Sequence, residues 1–127
     1  MTDIAYVDSS LLICIAFREP GWREKEHRLN RYLTLISSNL LEAEVNAAHV
    51  RSGVVLDTGL FDGIDWVLPD RPLSQEIEKA AAAGYLRGAD LWHLATALRV
   101  SADPGDIDFL TLDRRQAEAA GALGFGL

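Results

Sequence analysis

The sequence predicts an α/β protein of three layers, in which a central parallel sheet of four or five strands is covered by helices on both faces. Two observations carry this. Short apolar runs of strand length alternate with stretches of helical periodicity along the whole chain. Strands separated in this way by helices join through right-handed crossovers, which require parallel pairing.

The elements follow in order. Ile4-Ala5-Tyr6-Val7 is a buried-strand run that ends at Asp8, and Ser9 and Ser10 are caps for a helix reaching about Phe17. Pro20-Gly21 breaks the chain, and a polar helix runs from about Trp22 to Tyr32. Thr34-Leu35-Ile36-Ser37 is the second strand. Ser38 or Asn39 caps a helix to about Arg51, which Gly53 stops. Residues 54–63 form a short helical piece before the third strand, Ile64 to Leu68, closed by Pro69. Ser74 caps a helix with Ile77, Ala80 and Ala81 on its apolar face, ending at Gly84. A further helix from about Asp90 to Ser101 places Leu91, Leu94, Ala95 and Leu98 at core spacing. Asp103-Pro104-Gly105 is a turn, Ile107 to Thr111 the fourth strand and Arg114 to Leu123 the last helix; Gly124 to Leu127 can add a short edge strand. No repeat, low-complexity tract or linker interrupts residues 1–127, so one domain is expected.

Composition narrows the function. Apolar residues make up 49% and charged residues 24% of the 127, enough for a core held by burial alone. Cys14, the one cysteine, lies in the apolar run Leu11 to Ala16 and reads as a small buried thiol. The first residues carry no basic region and no apolar run approaches a membrane span, so a reducing cytoplasm and no membrane are expected. The net charge of −7 argues against a protein that grips nucleic acid by its backbone alone. It is compatible with an enzyme that gathers acids around a divalent cation, because the metal then supplies the positive charge.

In open α/β sheets ligands bind beyond the carboxyl ends of the strands, which gives a place to search. Asp8 follows the first strand and Asp113 the fourth, each before a helix. Helix capping accounts for either one alone, less well for Asp8, which has Ser9 and Ser10 beside it. Glu44 shares its helix face with Leu40, Leu41, Ala47 and Ala48, so an ionisable group is aimed at the core side. It must therefore be paired, with Arg51 or elsewhere, or must face a polar cavity. Glu42 points the other way, toward Asn39, Asn46 and His49, and is expected in solvent. Asp90 opens its helix and suits the helix dipole as a first-turn acid. Taken together, Asp8, Glu44, Asp90 and Asp113 come from four elements that reach one end of the sheet. Four such carboxylates repel one another, and Mg²⁺ or Mn²⁺, which prefer oxygen ligands, would relieve the repulsion.

Four stretches resemble the PIN-domain family, and within it the VapC-like toxins of bacterial toxin–antitoxin pairs. They are Tyr6-Val7-Asp8-Ser9-Ser10, Ser38 to Val45, Asp90 to Ala97, and Phe109 to Arg115. Order, spacing and chain length match along essentially the whole sequence. The resemblance implies a PIN-like fold and a Mg²⁺- or Mn²⁺-dependent endoribonuclease that cleaves RNA by metal-activated water and leaves a 5′-phosphate. It makes Asp8, Glu44, Asp90 and Asp113 the catalytic and metal-ligand set, with Ser10 and Thr111 in supporting roles. It also implies an antitoxin protein as partner and a homodimer. One departure is the bulky Leu91-Trp92 pair after Asp90, where relatives more often place a small residue first.

Other conspicuous residues fit less specific roles. His27, His49 and His93 have no metal-ligand spacing, and His93 reads as packing or as support for the acids. Trp66 and Trp92 read as core or interface residues. Trp22 opens an otherwise polar helix; with Phe17 it is either core or part of the groove that receives the antitoxin in VapC-like proteins. A haloacid-dehalogenase-type phosphatase would need a second aspartate at position 10, which is Ser10. A phospho-accepting receiver would need a lysine at a later strand end, yet Lys25 and Lys79 fall in helices. A PIN fold serving as a binding or scaffolding module is the remaining alternative to the enzyme.

Overall fold

The computed structural model describes residues 2–127. Four parallel strands, β1 (Ile4–Val7), β2 (Thr34–Ser38), β3 (Ile64–Val67) and β4 (Ile107–Leu110), lie in the order β3-β2-β1-β4. Around them are α1 (Ser9–Ala16), α2 (Trp22–Leu29), α3 (Leu40–Ser52), α4 (Ser74–Ala83), α5 (Gly88–Val100) and α6 (Arg114–Ala122), with short 3₁₀ turns at Thr58–Phe61 and Pro104–Asp106.

Alternation along the strands sorts the core into two layers. Ala5 and Val7 point to one face and pack with Leu11 and Leu12 of α1, Leu29 of α2 and Leu41 and Val45 of α3. Tyr6, Ile107 and Phe109 point to the other, against Ala80, Leu94, Ala97, Ala119 and Ala120 of α4, α5 and α6. There Tyr6 stacks on Phe109 with ring centroids 5.1 Å apart. Small residues on α4 and α6 let these helices lie close to the two buried rings. The three-layer α/β prediction therefore holds, with four strands.

The fifth strand does not form. Near Gly126 the tail makes one isolated bridge to Asp108, with Phe109 donating to the Gly126 carbonyl at 2.7 Å and Gly126 donating to Ile107 at 3.0 Å. A four-residue tail in which two positions are glycine is too short to extend that pairing.

Helix boundaries also move. Asp8, not Ser9 or Ser10, caps α1, its carboxylate accepting from the Ser10 amide at 3.1 Å. α5 begins two residues before Asp90, which sits in its first turn. Ser74 lies inside α4, whose cap position is Leu73. Gly53 ends α3 as expected, in a left-handed conformation (φ 73°) that favours glycine. Ala47 and Ala81 are exposed, so the apolar faces of α3 and α4 are narrower than their spacing implied. β3 stops at Val67, leaving Leu68 exposed, and β4 stops at Leu110, placing Thr111 just past its end.

Chain order makes the polar end of the sheet. From β1 the chain crosses to β2 and on to β3, whereas β4 pairs on the opposite side of β1. The switch point thus lies between β1 and β4, and Asp8 and Thr111 are the residues that emerge there.

Candidate active site

Each acid is held by a different local device. Asp8 is almost fully buried at the end of β1, and its amide donates to the Leu110 carbonyl at 2.9 Å, continuing the β1–β4 pairing. Its Oδ2 accepts from the Ser10 amide and lies 3.2 Å from the Thr111 hydroxyl. Asp113 caps α6, with Oδ1 accepting from the Gln116 amide at 2.9 Å. Its side chain is otherwise exposed. Both aspartates thus cap the helix that follows them.

Glu44 projects from α3 to the His93 ring of α5, with Oε1 2.6 Å from Nε2. The partner is neither Arg51 nor a distant cation but the histidine three residues after Asp90. His93 is completely buried, and its Nδ1 lies 2.6 Å from the Tyr6 hydroxyl, which in turn accepts from the Ser38 amide at 3.0 Å. Burial pushes the Tyr6 phenol far above its ordinary range, so it keeps its proton and donates it to Nδ1. The proton of the ring then resides on Nε2 and is donated to Glu44. A chain of polar contacts therefore runs from the end of β2 through β1 and α5 to α3. His93 Nε2 is also 3.8 Å from Asp8 Oδ1, too long for a hydrogen bond.

A second hub ties β4 and α6 to Asp8. The Thr111 hydroxyl lies 2.7 Å from Gln116 Oε1 and accepts from the Asp113 amide at 3.0 Å. Ser10 Oγ accepts from the Leu112 amide at 2.9 Å and sits 3.4 Å from Thr111 Oγ1. The Ser10 proton is therefore free for Thr111. Gln116, wholly buried, also places its amide nitrogen 3.5 Å from the Asp90 carbonyl. Sequence reasoning passed over Gln116, although the signal was present: it shares a helix face with Ala119 and Ala120. Trp92, the departure noted above, donates its indole N–H to Ser38 Oγ at 2.9 Å and so pins α5 to the end of β2.

Asp90 reports the electrostatics of the whole set. Its carboxyl is held above the usual carboxylate range, first by burial and then by the like charges of Asp8, Asp113 and Glu44, with His93 acting in the opposite sense. Contacts as well as charge bring the acids together: Asp8 and Glu44 share the His93 ring, at 3.8 and 2.6 Å from its Nε2, and Gln116 joins the Asp113 carboxylate to the Asp90 carbonyl. Asp90 and Asp113 line a cleft of about 570 Å³ together with Tyr85, Leu86, Arg87 and Arg115. Among the described residues, no three His, Cys, Asp or Glu side chains stand in an arrangement that would hold a metal ion. The residue types are those a hard cation prefers, carboxylate oxygens throughout, and Asp90 is disfavoured as an anion first by burial and then by the other three charges.

One surrounding differs from the sequence expectation. His49 is buried, not solvated, and stacks on Phe17 with centroids 4.8 Å apart. Glu42 does face outward, accepting from Asn39 at 3.3 Å. Away from the acids, Trp22 lines a groove of about 340 Å³ with Ile15, Arg18, His49 and Val55, and its ring is flanked by the guanidinium groups of Arg18 and Arg23 at 5.2 and 5.1 Å.

A model of the PIN domain matches residues 5–122, and the chain belongs to the PIN-domain family. This is a nuclease family, which implies hydrolysis and contact with nucleic acid, and its members typically use divalent metal ions. No curated protein and no solved structure gives a significant match. No helix is long and apolar enough to cross a membrane among the described residues.

Proposed function

We propose that the chain is a Mg²⁺- or Mn²⁺-dependent endoribonuclease, with Asp8, Glu44, Asp90 and Asp113 as its catalytic and metal-holding acids. The observation that carries this is the pair of polar hubs at the sheet's switch point, where His93 joins Glu44 to Asp8 and Gln116 joins Asp113 and Thr111 to Asp90. When bound, the metal supplies positive charge beside a phosphodiester and lowers the pKa of a coordinated water. The chain's own residues prepare for it. Thr111 and the Ser10 amide orient Asp8, His93 orients Glu44, and the Gln116 amide orients Asp113. Asp90 stands in the first turn of α5, where the helix dipole favours its negative charge as a metal would.

The reading extends, on the resemblance to VapC-like proteins, to the toxin of a toxin–antitoxin pair that forms a homodimer in the cytoplasm. The groove around Trp22 supports a protein partner on α1 and α2, since an aromatic ring between two arginines is an accessible, preorganised contact. Capture of a partner encoded beside this chain, lost on Trp22→Ala, is the expected result. Retention of full affinity by that variant removes the groove from the reading.

The open arrangement of the acids favours a second reading, a PIN fold that binds without cutting. Cleavage separates the two. Purified protein should degrade single-stranded RNA with Mg²⁺ or Mn²⁺ and leave 5′-phosphate ends. Mn²⁺ at a hundred times its Kd should stabilise the wild type by about 2.7 kcal/mol and Asp90→Asn by far less. No cleavage with either metal, together with equal stabilisation of both proteins, would falsify the enzyme reading.

A further inference from the structure

The acidic cleft has a basic and aromatic wall that the four acids do not explain. Tyr85 and Arg87 stand in the segment between α4 and α5, and Arg115 stands in the first turn of α6. All three line the cleft that Asp90 and Asp113 also line. Tyr85 is 83% exposed, although its neighbour Leu86 is buried and anchors the segment. A large aromatic ring left in solvent at the rim of a cleft is an unused stacking platform.

The arginines are equally unaccounted for. Among the described residues neither Arg87 nor Arg115 forms an ion pair, although the chain has 19 acidic residues for 12 basic ones. Arg114, beside Arg115, does pair with Glu118 at 3.2 Å. Their positions also oppose local helix stability. Arg87 is the N-cap residue of α5 and Arg115 lies at the start of α6, where the helix dipole disfavours a cation by roughly 0.3–1 kcal/mol. Two cations that lack partners, sit at disfavoured positions and border one cleft are placed for an anion from outside the chain.

We propose that Tyr85, Arg87 and Arg115 form the strand-binding wall of the site, Tyr85 stacking on a base of single-stranded RNA while the two arginines hold phosphates beside Asp90 and Asp113. This rests on the nuclease reading for its ligand and deepens it by selecting an unpaired strand. A ring at the rim can cover the face of a base only where that base is not stacked within a duplex. Guanidinium groups grip phosphate oxygens in pairs and offset the repulsion that a polyanion meets near four carboxylates. The cleft volume lies within the range of about 300–1,000 Å³ that small-ligand sites occupy, enough for a nucleotide unit.

The test is binding of a short fluorescent single-stranded RNA to the full chain carrying Asp8→Asn, with Mg²⁺ present and salt varied from about 50 to 200 mM. Adding Arg87→Gln or Arg115→Gln should each lower the slope of log K against log salt by about 0.7, the value for one phosphate contact on a single strand. Adding Tyr85→Ala should weaken binding about fivefold to a hundredfold without changing the slope, and Tyr85→Phe should stay within about twofold of its parent. These positions are exposed, and circular dichroism should show all variants folded.

Unchanged affinity and slope in all the variants overturn the wall. If the wild type still cleaves RNA in parallel, the nuclease reading survives that failure. Slopes that fall as expected in a protein that cleaves nothing leave the wall standing and remove the nuclease. Duplex RNA bound as tightly as single-stranded RNA overturns the role of Tyr85.

Discussion

Two aspartates on neighbouring strands make an instructive pair. Asp8 at the end of β1 and Asp108 within β4 are each 4% exposed, but Asp108 meets Tyr32 in the layer of Ala5 and Val7, whereas Asp8 meets the His93 ring of α5 on the other layer. Asp108 accepts from the Tyr32 hydroxyl at 2.6 Å, and the tail closes over it so tightly that a Cβ at Gly126 would collide with its carboxylate. Burial, followed by the bond to Asp108, raises the Tyr32 phenol, which keeps the donor protonated. Asp8 instead lies 3.8 Å from the His93 ring that also holds Glu44, and among the described residues no lysine or arginine pairs with it. One buried acid is satisfied within the fold. The other is supported by hydroxyl and amide groups and shares a histidine with a second acid. Equal burial therefore says little about role; the sign of the neighbouring charge says more.

The sharpest way to break this contrast is to neutralise each aspartate. Asp8→Asn should reduce RNA cleavage by about a hundredfold or more, because it removes a charge aimed at the reacting centre. Asp108→Asn should leave cleavage within about twofold, as expected for a residue remote from catalysis. Equal activity losses, measured as initial rates on one RNA, would erase the distinction.

The next largest effect is expected at His93. His93→Ala releases Glu44 and should lower cleavage about tenfold to a hundredfold, the usual scale for a group that orients a metal-holding side chain. His93→Gln retains a donor for Glu44 and should recover part of that loss. Metal affinity, read by titrating the rate with Mn²⁺, should weaken in step with activity in the alanine variant.

On the structural side, Tyr32→Phe leaves the Asp108 carboxylate buried without its donor and should cost roughly 2 kcal/mol. Thermal unfolding measures it, and cleavage below the melting transition should be unchanged. A stability equal to the wild type would mean that Asp108 finds another partner.

The smallest effect concerns pH. The Asp90 pKa is raised by folding, so the fold prefers its protonated form. That contribution is present below the unfolded carboxylate pKa and is lost as pH rises through the folded value. Metal-free protein should therefore be less stable at neutral pH on account of Asp90, and Asp90→Asn should melt slightly higher than the wild type there. The difference should vanish in acid. A variant that melts lower than the wild type at neutral pH would show that the neighbouring charges do not dominate at Asp90.

How far the sequence could be read depended on distance along the chain. Asp8 and Asp113 were legible because a strand followed at once by a helix start leaves its linking residue at the carboxyl edge. Glu44 was legible as a charge on an apolar helix face. Its partner was not, since His93 lies 49 positions away and meets it only after α3 and α5 pack at the same end of the sheet. The bridge through Gln116 was half legible, as a polar residue among alanines, but its two targets belong to other elements. Nothing local marked Tyr85, Arg87 and Arg115 as one wall.

By itself the sequence determined the layer architecture, the run of elements and the residues that end them, because periodicity, capping and turn chemistry act over a few residues. Only the tertiary structure decided which groups share a proton, which charges press on Asp90 and which arginines go unpaired. Those outcomes depend on strand order and helix placement, and Coulomb and hydrogen-bond energies change steeply over the few ångströms that packing sets.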